Sequence, residues 1–320
     1  MLTFSILGAI EIRQNDHVIR LGGTMQQTLL ATLLVSGGTL VTVDSLMEEL
    51  WGTTPPAKVE NALQAQISRL RRSLSRLEPD RPESRLTTSI SGYLFTVDRT
   101  ELDAWAFLHT LNMIRARMET GTVADVHREI ADLRKALDLW RGPVYGGLVG
   151  GPLCQTAAGK YRESRNAALA LLYELELNGG GHAKVLPELT ELFAQNPLQE
   201  QFCMLLLVAL YRSGRQIDAL NTYRQFRHRL AENLGIEPSP ALRQYERAIL
   251  THDPVLMRDE LPRTARLRES VSKTSRPVPV YAQGRPHTGT RARSMAPPTV
   301  AVLPIELRVS REGRVPRPLG

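Results

Sequence analysis

Cysteine, aromatic residues and long apolar runs are all scarce in this chain of 320 residues. The two cysteines, Cys154 and Cys203, are too few for a disulfide scaffold and do not have the spacing of metal ligands. The longest apolar run, 202–211, is far shorter than the ~18 residues that a membrane span needs. The N-terminus lacks the basic region and long apolar stretch of a secretory signal. These absences predict a soluble cytoplasmic protein that does not associate with a membrane.

Residue patterns typical of catalysis are missing as well. No Ser-His-Asp, Cys-His or paired-carboxylate pattern stands out, and the seven histidines are scattered along the chain. The glycine-rich segment RGPVYGGLVGGP at 141–152 lacks the GxxxxGK[ST] order of a phosphate-binding loop. We therefore expect no enzyme activity, no cofactor and no metal site. An enzyme that uses the 141–152 loop is kept only as a rival hypothesis.

Positive charge is in excess, but it is unevenly distributed. The 40 lysines and arginines exceed the 33 acids, which gives a formal net charge of +7. Residues 1–97 carry 9 basic and 9 acidic side chains, residues 98–257 carry 18 and 19, and residues 258–320 carry 13 and 5. A basic balance suggests nucleic acid as the partner, but almost all of this excess lies in the last segment.

That last segment, 258–320, also contains 9 of the 20 prolines and a single aromatic residue, Tyr281. Such a composition cannot bury enough apolar surface to offset the entropy lost on ordering. We predict a disordered, basic, proline-rich tail. Two interpretations stay open: a passive solvated extension, or a non-specific electrostatic arm for DNA or another polyanion.

Strand and helix signals follow one another at the start of the chain. Apolar and β-branched residues predict two antiparallel strands, at 2–13 and 17–21. Two helical patterns come next. Thr24 is the predicted N-cap of the first helix, and Thr42 or Asp44 that of the second.

A third helix is predicted over 57–77, after the break GTTPPA, and a loosely alternating segment at 85–97 predicts a β-hairpin. Strands, three helices and a terminal hairpin are the order of a winged helix with an N-terminal sheet, so residues 1–97 are predicted to form one. Four apolar side chains of the third helix fall within about 60° of arc at 100° per residue, and we expect them to be its buried face: Leu63, Ile67, Leu70 and Leu74.

The opposite face of the third helix is polar, and no acid occurs between Asn61 and Leu77. In helix-turn-helix proteins the last helix enters the major groove. There, arginine can pair with guanine, and asparagine or glutamine with adenine. The alternative is an ordinary solvated face without a nucleic-acid partner. The exposed face carries Lys58, Asn61, Ser68, Arg69, Arg72 and Arg76, with Gln64 and Arg71 at its edges.

Residues 98–257 show helical patterns and no strand pattern. Gly180 and Gly214 lie 34 residues apart, which is the period of tetratricopeptide helix pairs. In that register Leu189 aligns with Tyr223. We expect the leucine and aromatic side chains at such aligned positions to form a core shared by neighbouring helix pairs. The predicted fold is an all-α tetratricopeptide-like repeat domain, a scaffold suited to binding protein segments. Its seven helices are expected at 101–119, 122–140, 155–178, 182–195, 198–212, 215–233 and 239–250.

Several motifs together resemble one family, the Streptomyces antibiotic regulatory proteins. FSILGAIEIR with LGG resembles its opening strands, and LWGTTPPAKVENALQAQISRLRRSL its helix-turn-helix. SGYLFTVDRTELDAWAF resembles its wing, and LDLWRGPVYGGL and NPLQEQF its bacterial transcriptional activation domain. The resemblance covers about 2–250 and implies a response-regulator-type winged helix, followed by that helical domain, in the short form of the family without an ATPase module.

The resemblance also implies a function. Family members are transcriptional activators that bind direct repeats near the promoter −35 region. They recruit RNA polymerase through its sigma and alpha subunits and switch on antibiotic biosynthetic clusters. The implied partners are double-stranded DNA, RNA polymerase and a second copy of the chain on DNA. Carried over by motif, Arg69, Arg71 and Arg72 belong to the recognition helix with Lys58, Asn61, Gln64 and Ser68, and Arg85 belongs to the wing.

One departure from the family pattern keeps an alternative open. The family commonly has a basic entry to the first helix, whereas this chain has the uncharged Thr24-Met25-Gln26-Gln27. A phosphate contact there is either absent or made by a neutral amide. The alternative function is a repeat-type interaction adaptor that does not bind DNA specifically.

Overall fold

The computed structural model describes residues 2–15, 17–121 and 125–257. The predicted tail, 258–320, lies outside the described residues. The chain begins with a three-stranded antiparallel sheet of order β1-β2-β3, formed by β1 (Leu2–Ser5), β2 (Glu11–Gln14) and β3 (His17–Ile19). The register pairs Phe4 with Ile12 and Ile12 with Ile19, so one face of the sheet is apolar.

The prediction of one continuous strand over 2–13 is wrong, because the chain leaves the sheet between β1 and β2. The backbone N–H groups of Ile6 and Leu7 donate to the Asp103 carboxylate at 2.9–3.2 Å instead of to a neighbouring strand. Ile6, Leu7 and Ile10 are nevertheless buried. Their apolar character therefore reflects a buried loop.

The predicted helices and hairpin of the N-terminal unit are present. They are α1 (Thr24–Val35), α2 (Val43–Trp51), α3 (Val59–Leu77) and a second sheet of order β4-β6-β5, made of β4 (Val41–Thr42), β5 (Leu86–Ser89) and β6 (Gly92–Phe95). Thr42 caps α2 as predicted, accepting from the Ser45 N–H at 3.2 Å. The predicted cap Thr24 instead starts α1, and Gly23 occupies the N-cap position without a side-chain bond.

All seven predicted helices of the second unit are present, with ends within a few residues of those predicted. They are α4 (Asp103–Glu119), α5 (Val126–Leu137), α6 (Pro152–Asn178), α7 (His182–Gln195), α8 (Glu200–Arg212), α9 (Gln216–Leu234) and α10 (Pro240–Leu250), with 3₁₀ turns at Val144–Gly147 and Pro254–Met257. No helix in the described part of the chain is long and apolar enough to cross a membrane.

The 34-residue repeat corresponds to two helix pairs, α6–α7 and α8–α9. Gly180 and Gly214 hold equivalent positions after the first helix of each pair, with φ of +78° and +73° that favour glycine. Leu189 and Tyr223, aligned by the repeat, are both buried in the same apolar cluster. The predicted tetratricopeptide-like packing is therefore confirmed.

Buried side chains form two apolar clusters. The first extends from Leu2 through α1–α5 to Leu175 on α6, and the second from Ala170 on α6 to Leu256. The first cluster is continuous across residue 97, where Phe95 and Leu102 both belong to it. The division of the chain at 97 stays a prediction, because packing alone does not separate the winged helix from the first helices of the second unit.

Candidate nucleic-acid interface

The third helix of the winged-helix unit separates its apolar and polar residues cleanly. Leu63, Ile67, Leu70 and Leu74 are buried as predicted and attach α3 to the first apolar cluster. The residues opposite them are exposed: Lys58, Asn61, Ser68, Arg69, Arg72 and Arg76. The only acid in the helix is Glu60, in the first turn, where it favours the helix dipole.

The cations on this face are free of ion pairs. Lys58, Arg69, Arg72 and Arg76 form no salt bridge with any residue in the described part of the chain. Elsewhere arginines are neutralised, as Arg117 is by Glu129 at 2.6 Å and Arg134 by Glu176 at 2.7 Å. Unpaired guanidinium groups on one helical face keep their donors available for an external anion or a base edge.

Two of the predicted contact residues also tie α3 to the hairpin. The Gln64 side-chain amide donates to the hydroxyl of Tyr93 on β6 at 2.7 Å. Arg71 donates to the carbonyl of Leu86 and the hydroxyl of Thr88 on β5, both at 3.1 Å. These bonds fix the angle between helix and hairpin, although Gln64 itself remains exposed.

The predicted role of Arg85 at the wing needs correction. Arg85 is only 3% exposed and its guanidinium lies between Glu78 and Glu101, with bonds of 2.7 Å to each carboxylate. Burial alone would lower the pKa of Arg85, but the hydrogen bonds and charges of both glutamates outweigh it and raise the pKa above its usual value. A buried, doubly paired arginine cannot reach DNA.

The uncharged entry to α1 is engaged within the protein. The amide of Gln26, which is buried, donates to the backbone carbonyl of Gln66 on α3 at 3.0 Å and to its side-chain oxygen. The amide of Gln27 donates to the Leu21 carbonyl at 3.2 Å. The Gln26 amide thus ties α1 to α3, and the Gln27 amide ties α1 to the segment that precedes it. Both amides are engaged inside the protein at the place where the family pattern has a basic residue.

Two features of this unit escaped sequence reasoning. Ile90, at the tip of the β5–β6 hairpin, is fully exposed. Glu49 on α2 is buried, and its carboxylate accepts from the N–H groups of Gly151 at 3.0 Å, Cys154 at 3.4 Å and Leu153, at the start of α6. A buried glutamate in an amphipathic helix carries no sequence signal that its partner lies about a hundred residues away.

No cluster of three metal-ligating side chains occurs within the part of the chain that the structure describes. Cys154 and Cys203 are buried free thiols, and burial raises the pKa of Cys154 to about 12. A thiol with so high a pKa is a poor nucleophile at neutral pH. The arrangement therefore offers donors for a polyanion, with no activated nucleophile at either cysteine.

Comparisons with known proteins agree with this geometry. Residues 18–95 match the family described as "Transcriptional regulatory protein, C terminal", and residues 102–250 match "Bacterial transcriptional activator domain". The transcriptional regulator RedD of Streptomyces coelicolor is 39% identical over 253 residues, which are 79% of this chain and 71% of RedD. The regulatory protein DnrI of Streptomyces peucetius is 33% identical over 270 residues, 82% of this chain and 98% of DnrI.

A solved structure is similar as well. Mycobacterium tuberculosis EmbR, in complex with a low-affinity phosphopeptide, superposes with a TM-score of 0.72 and 27% identity, covering 85% of this chain and 69% of EmbR. The two matched families are regulators of transcription rather than enzymes, and their members bind DNA and act with RNA polymerase. With its paired domains and its identity to RedD and DnrI, the chain belongs to the Streptomyces antibiotic regulatory protein family of transcriptional activators.

Proposed function

We propose that this protein binds direct repeats near a promoter −35 region and recruits RNA polymerase to an antibiotic or other secondary-metabolite gene cluster. The observation that carries the proposal is the exposed, acid-free face of α3 between Asn61 and Arg76, with cations that no described residue neutralises. The protein would act in the cytoplasm, where its promoter DNA lies.

The chemistry of this face suits base recognition in the major groove. The 19 residues of α3 span about 28 Å, which exceeds the width of the groove. Arg69 and Arg72 can donate bidentately to guanine O6 and N7, Asn61 can pair with adenine, and Ser68 can donate or accept. Lys58, at the start of the helix, is placed for a phosphate contact, which adds affinity without reading sequence.

Gln64 and Arg71 have a positioning role in this proposal. Their bonds to Tyr93, Leu86 and Thr88 hold the hairpin beside α3, so that the hairpin can reach the backbone flanking the groove. Since residues 1–97 are net neutral, the attraction to DNA is local to α3. Two protomers on one face of the DNA, one per repeat, would give the affinity that one neutral unit lacks.

The helical unit supplies the second half of the function. Stacked helix pairs form extended surfaces that bind protein segments. We assign the contacts with the neighbouring protomer and with the sigma and alpha subunits of polymerase to residues 98–257.

The first test is DNA footprinting with Arg69→Ala and Arg72→Ala. Each variant is expected to lose about 1–3 kcal/mol of binding free energy, or roughly 5- to 150-fold in affinity, and to relax preference at one base pair. Lys58→Ala should weaken binding to all sequences equally and reduce the salt slope by about 1. The DNA used in this experiment is the promoter region of a neighbouring biosynthetic cluster.

Arg224→Ala is the matched control, because Arg224 is an exposed arginine on α9, away from the proposed interface. Unchanged affinity in both α3 variants would show that the recognition face is wrongly assigned. If the wild-type protein showed no preference for any promoter sequence, the adaptor alternative would replace the proposal, and the internally bonded Gln26 and Gln27 would then be its explanation.

A further inference from the structure

A pocket of about 640 Å³ lies between the glycine-rich loop 141–151 and the first turns of α6. Its volume falls within the range of about 300–1,000 Å³ that small-molecule sites occupy. Nothing in the proposed reading of DNA uses this pocket. The loop is distinctive in its composition, and its lack of a phosphate-binding sequence does not exclude other ligands.

The pocket combines an apolar wall with two cations. Val144, Leu148 and Ala158 supply the wall, while Arg162 and Arg165 approach from α6. No aspartate or glutamate is among the described residues that line the pocket, and neither arginine forms an ion pair with any of the described residues. Two unneutralised guanidinium groups beside an apolar wall fit a ligand with an anionic group and an apolar body.

Trp140 adds a flat apolar surface to the pocket. Its ring packs edge-on against Phe107 with centroids 5.5 Å apart, and the Arg165 guanidinium lies 5.2 Å from the ring centroid. The indole Nε1 is buried and has no hydrogen-bond partner among the described residues. Because this donor is enclosed by protein, the ring of Trp140 is the part that a ligand in the pocket can contact.

The loop has a strained backbone of the kind that clusters at ligand sites. Tyr145 adopts φ +58°, in the left-handed region that a non-glycine residue seldom occupies, and Gly146 follows at +66°. The conformation is held by the Tyr145 N–H bond to the Ile6 carbonyl at 2.9 Å and by its hydroxyl bond to the Cys154 carbonyl at 3.2 Å.

The other side of the same loop touches the winged-helix unit. The Arg141 N–H donates to the Leu7 carbonyl at 2.8 Å, and Gly146 packs against Ala9. The Gly151 N–H donates to Glu49 on α2 at 3.0 Å. These contacts connect the loop to the segment between β1 and β2 and to α2, which packs against α3.

We propose that the pocket binds a small aromatic carboxylate, held by Arg162 and Arg165 with its aromatic body beside the Trp140 ring, and that its occupancy changes the affinity for DNA. The second part rests on the proposed function, whereas the binding site does not. The carboxylate pairs with the guanidinium groups, and the aromatic body lies against the apolar wall.

Calorimetry with 2-naphthoate tests the site without DNA, and 2-naphthamide serves as its neutral isostere. The full chain is expected to bind one naphthoate saturably and the amide about tenfold more weakly. Arg162→Gln and Arg165→Gln should each weaken naphthoate binding about tenfold, and Arg224→Gln should leave it unchanged. No saturable binding, equal binding of the amide, or equal loss in Arg224→Gln would overturn the site.

Nuclear magnetic resonance of the indole groups provides an independent measurement. The chain has three tryptophans, Trp51, Trp105 and Trp140. The signal that disappears in Trp140→Phe is expected to shift on adding naphthoate, while the other two stay in place. A shift of either other indole in place of that of Trp140 would locate the ligand elsewhere and overturn the assignment.

The effect on DNA is measured by gel shift with and without saturating naphthoate. We expect at least a threefold change in affinity, which is lost in the double variant Arg162→Gln/Arg165→Gln. Calorimetric binding with unchanged DNA affinity would overturn the coupling but not the site. Failure of the ligand-free protein to bind DNA would contradict the proposed function and would leave the calorimetric result intact.

Discussion

The buried guanidinium of Arg85 joins two parts of the chain. It pairs with Glu78, at the end of α3, and with Glu101, at the start of the helical unit. Burial alone would raise the pKa of Glu101, but Arg85 and the Asp98 backbone N–H hold it below its usual value. Since Arg85 and Glu101 have side chains only 2% and 4% exposed, neither charge can be solvated if its partner is removed.

Arg85→Ala is therefore expected to lower the free energy of unfolding by about 3–5 kcal/mol, because it leaves the buried carboxylate of Glu101 without its cation. Arg81→Ala is the control. Arg81 reaches Glu78 only at 3.7 Å and is partly exposed, so its loss should cost less than about 1 kcal/mol. Urea denaturation followed by circular dichroism measures both. Equal effects of the two variants would mean that the burial of the Arg85–Glu101 pair does not determine how much it contributes to the free energy of unfolding.

The burial and contacts of a residue could be predicted from the sequence only where its partners lie close to it along the chain. The apolar face of α3 depends on helical spacing alone, and all four predicted side chains are buried. Arg85 has the residue type of a DNA contact, but its burial depends on Glu101, and no local pattern reveals that pairing. The same holds for Glu49 and its partners at the start of α6.

At the scale of elements, helices were predicted better than strands. Helical periodicity is a local property, and the seven helices of the second unit repeat it over many turns. The strand predicted over 2–13 has 12 residues, whereas β1 has only 4 and most of the other apolar residues belong to a buried loop. Asp103, which diverts the Ile6 and Leu7 N–H groups, lies almost a hundred residues away.

Two glycines illustrate how the surrounding element determines whether replacement by alanine stabilises or destabilises the protein. Gly159 lies inside α6, and a Cβ added there would meet no atom within 4 Å, so Gly159→Ala should stabilise the protein by about 0.5–1 kcal/mol. Gly92 begins β6, and a Cβ there would lie 2.0 Å from the Val41 carbonyl oxygen. Gly92→Ala should destabilise the sheet β4-β6-β5. Thermal melting that moved both variants in the same direction would contradict this account.

For the whole molecule, the two units predicted from sequence share one apolar cluster. Phe4 on β1 contacts Phe95 on β6 with ring centroids 5.6 Å apart, and its N–H donates to the Glu101 carbonyl at 2.6 Å. Glu49 joins α2 to α6 on another side. The N-terminal unit is thus attached to the helical unit at several points, and these contacts are the path that the proposed coupling between the 141–151 loop and α3 would use.

Gly151 is the position where this attachment can be tested. A Cβ at Gly151 would lie 2.6 Å from the Cα of Glu49 and 2.9 Å from its carboxylate, so α2 and α6 would have to move apart. We expect Gly151→Ala to lower the free energy of unfolding by about 1–3 kcal/mol, as overpacking does. The control is Gly22→Ala, since no atom lies within 4 Å of the added Cβ there. Calorimetric melting should show one transition in the wild type and control, but a lower and broader one in Gly151→Ala. A variant that melted like the control would mean that α2 and α6 are not held together through this contact.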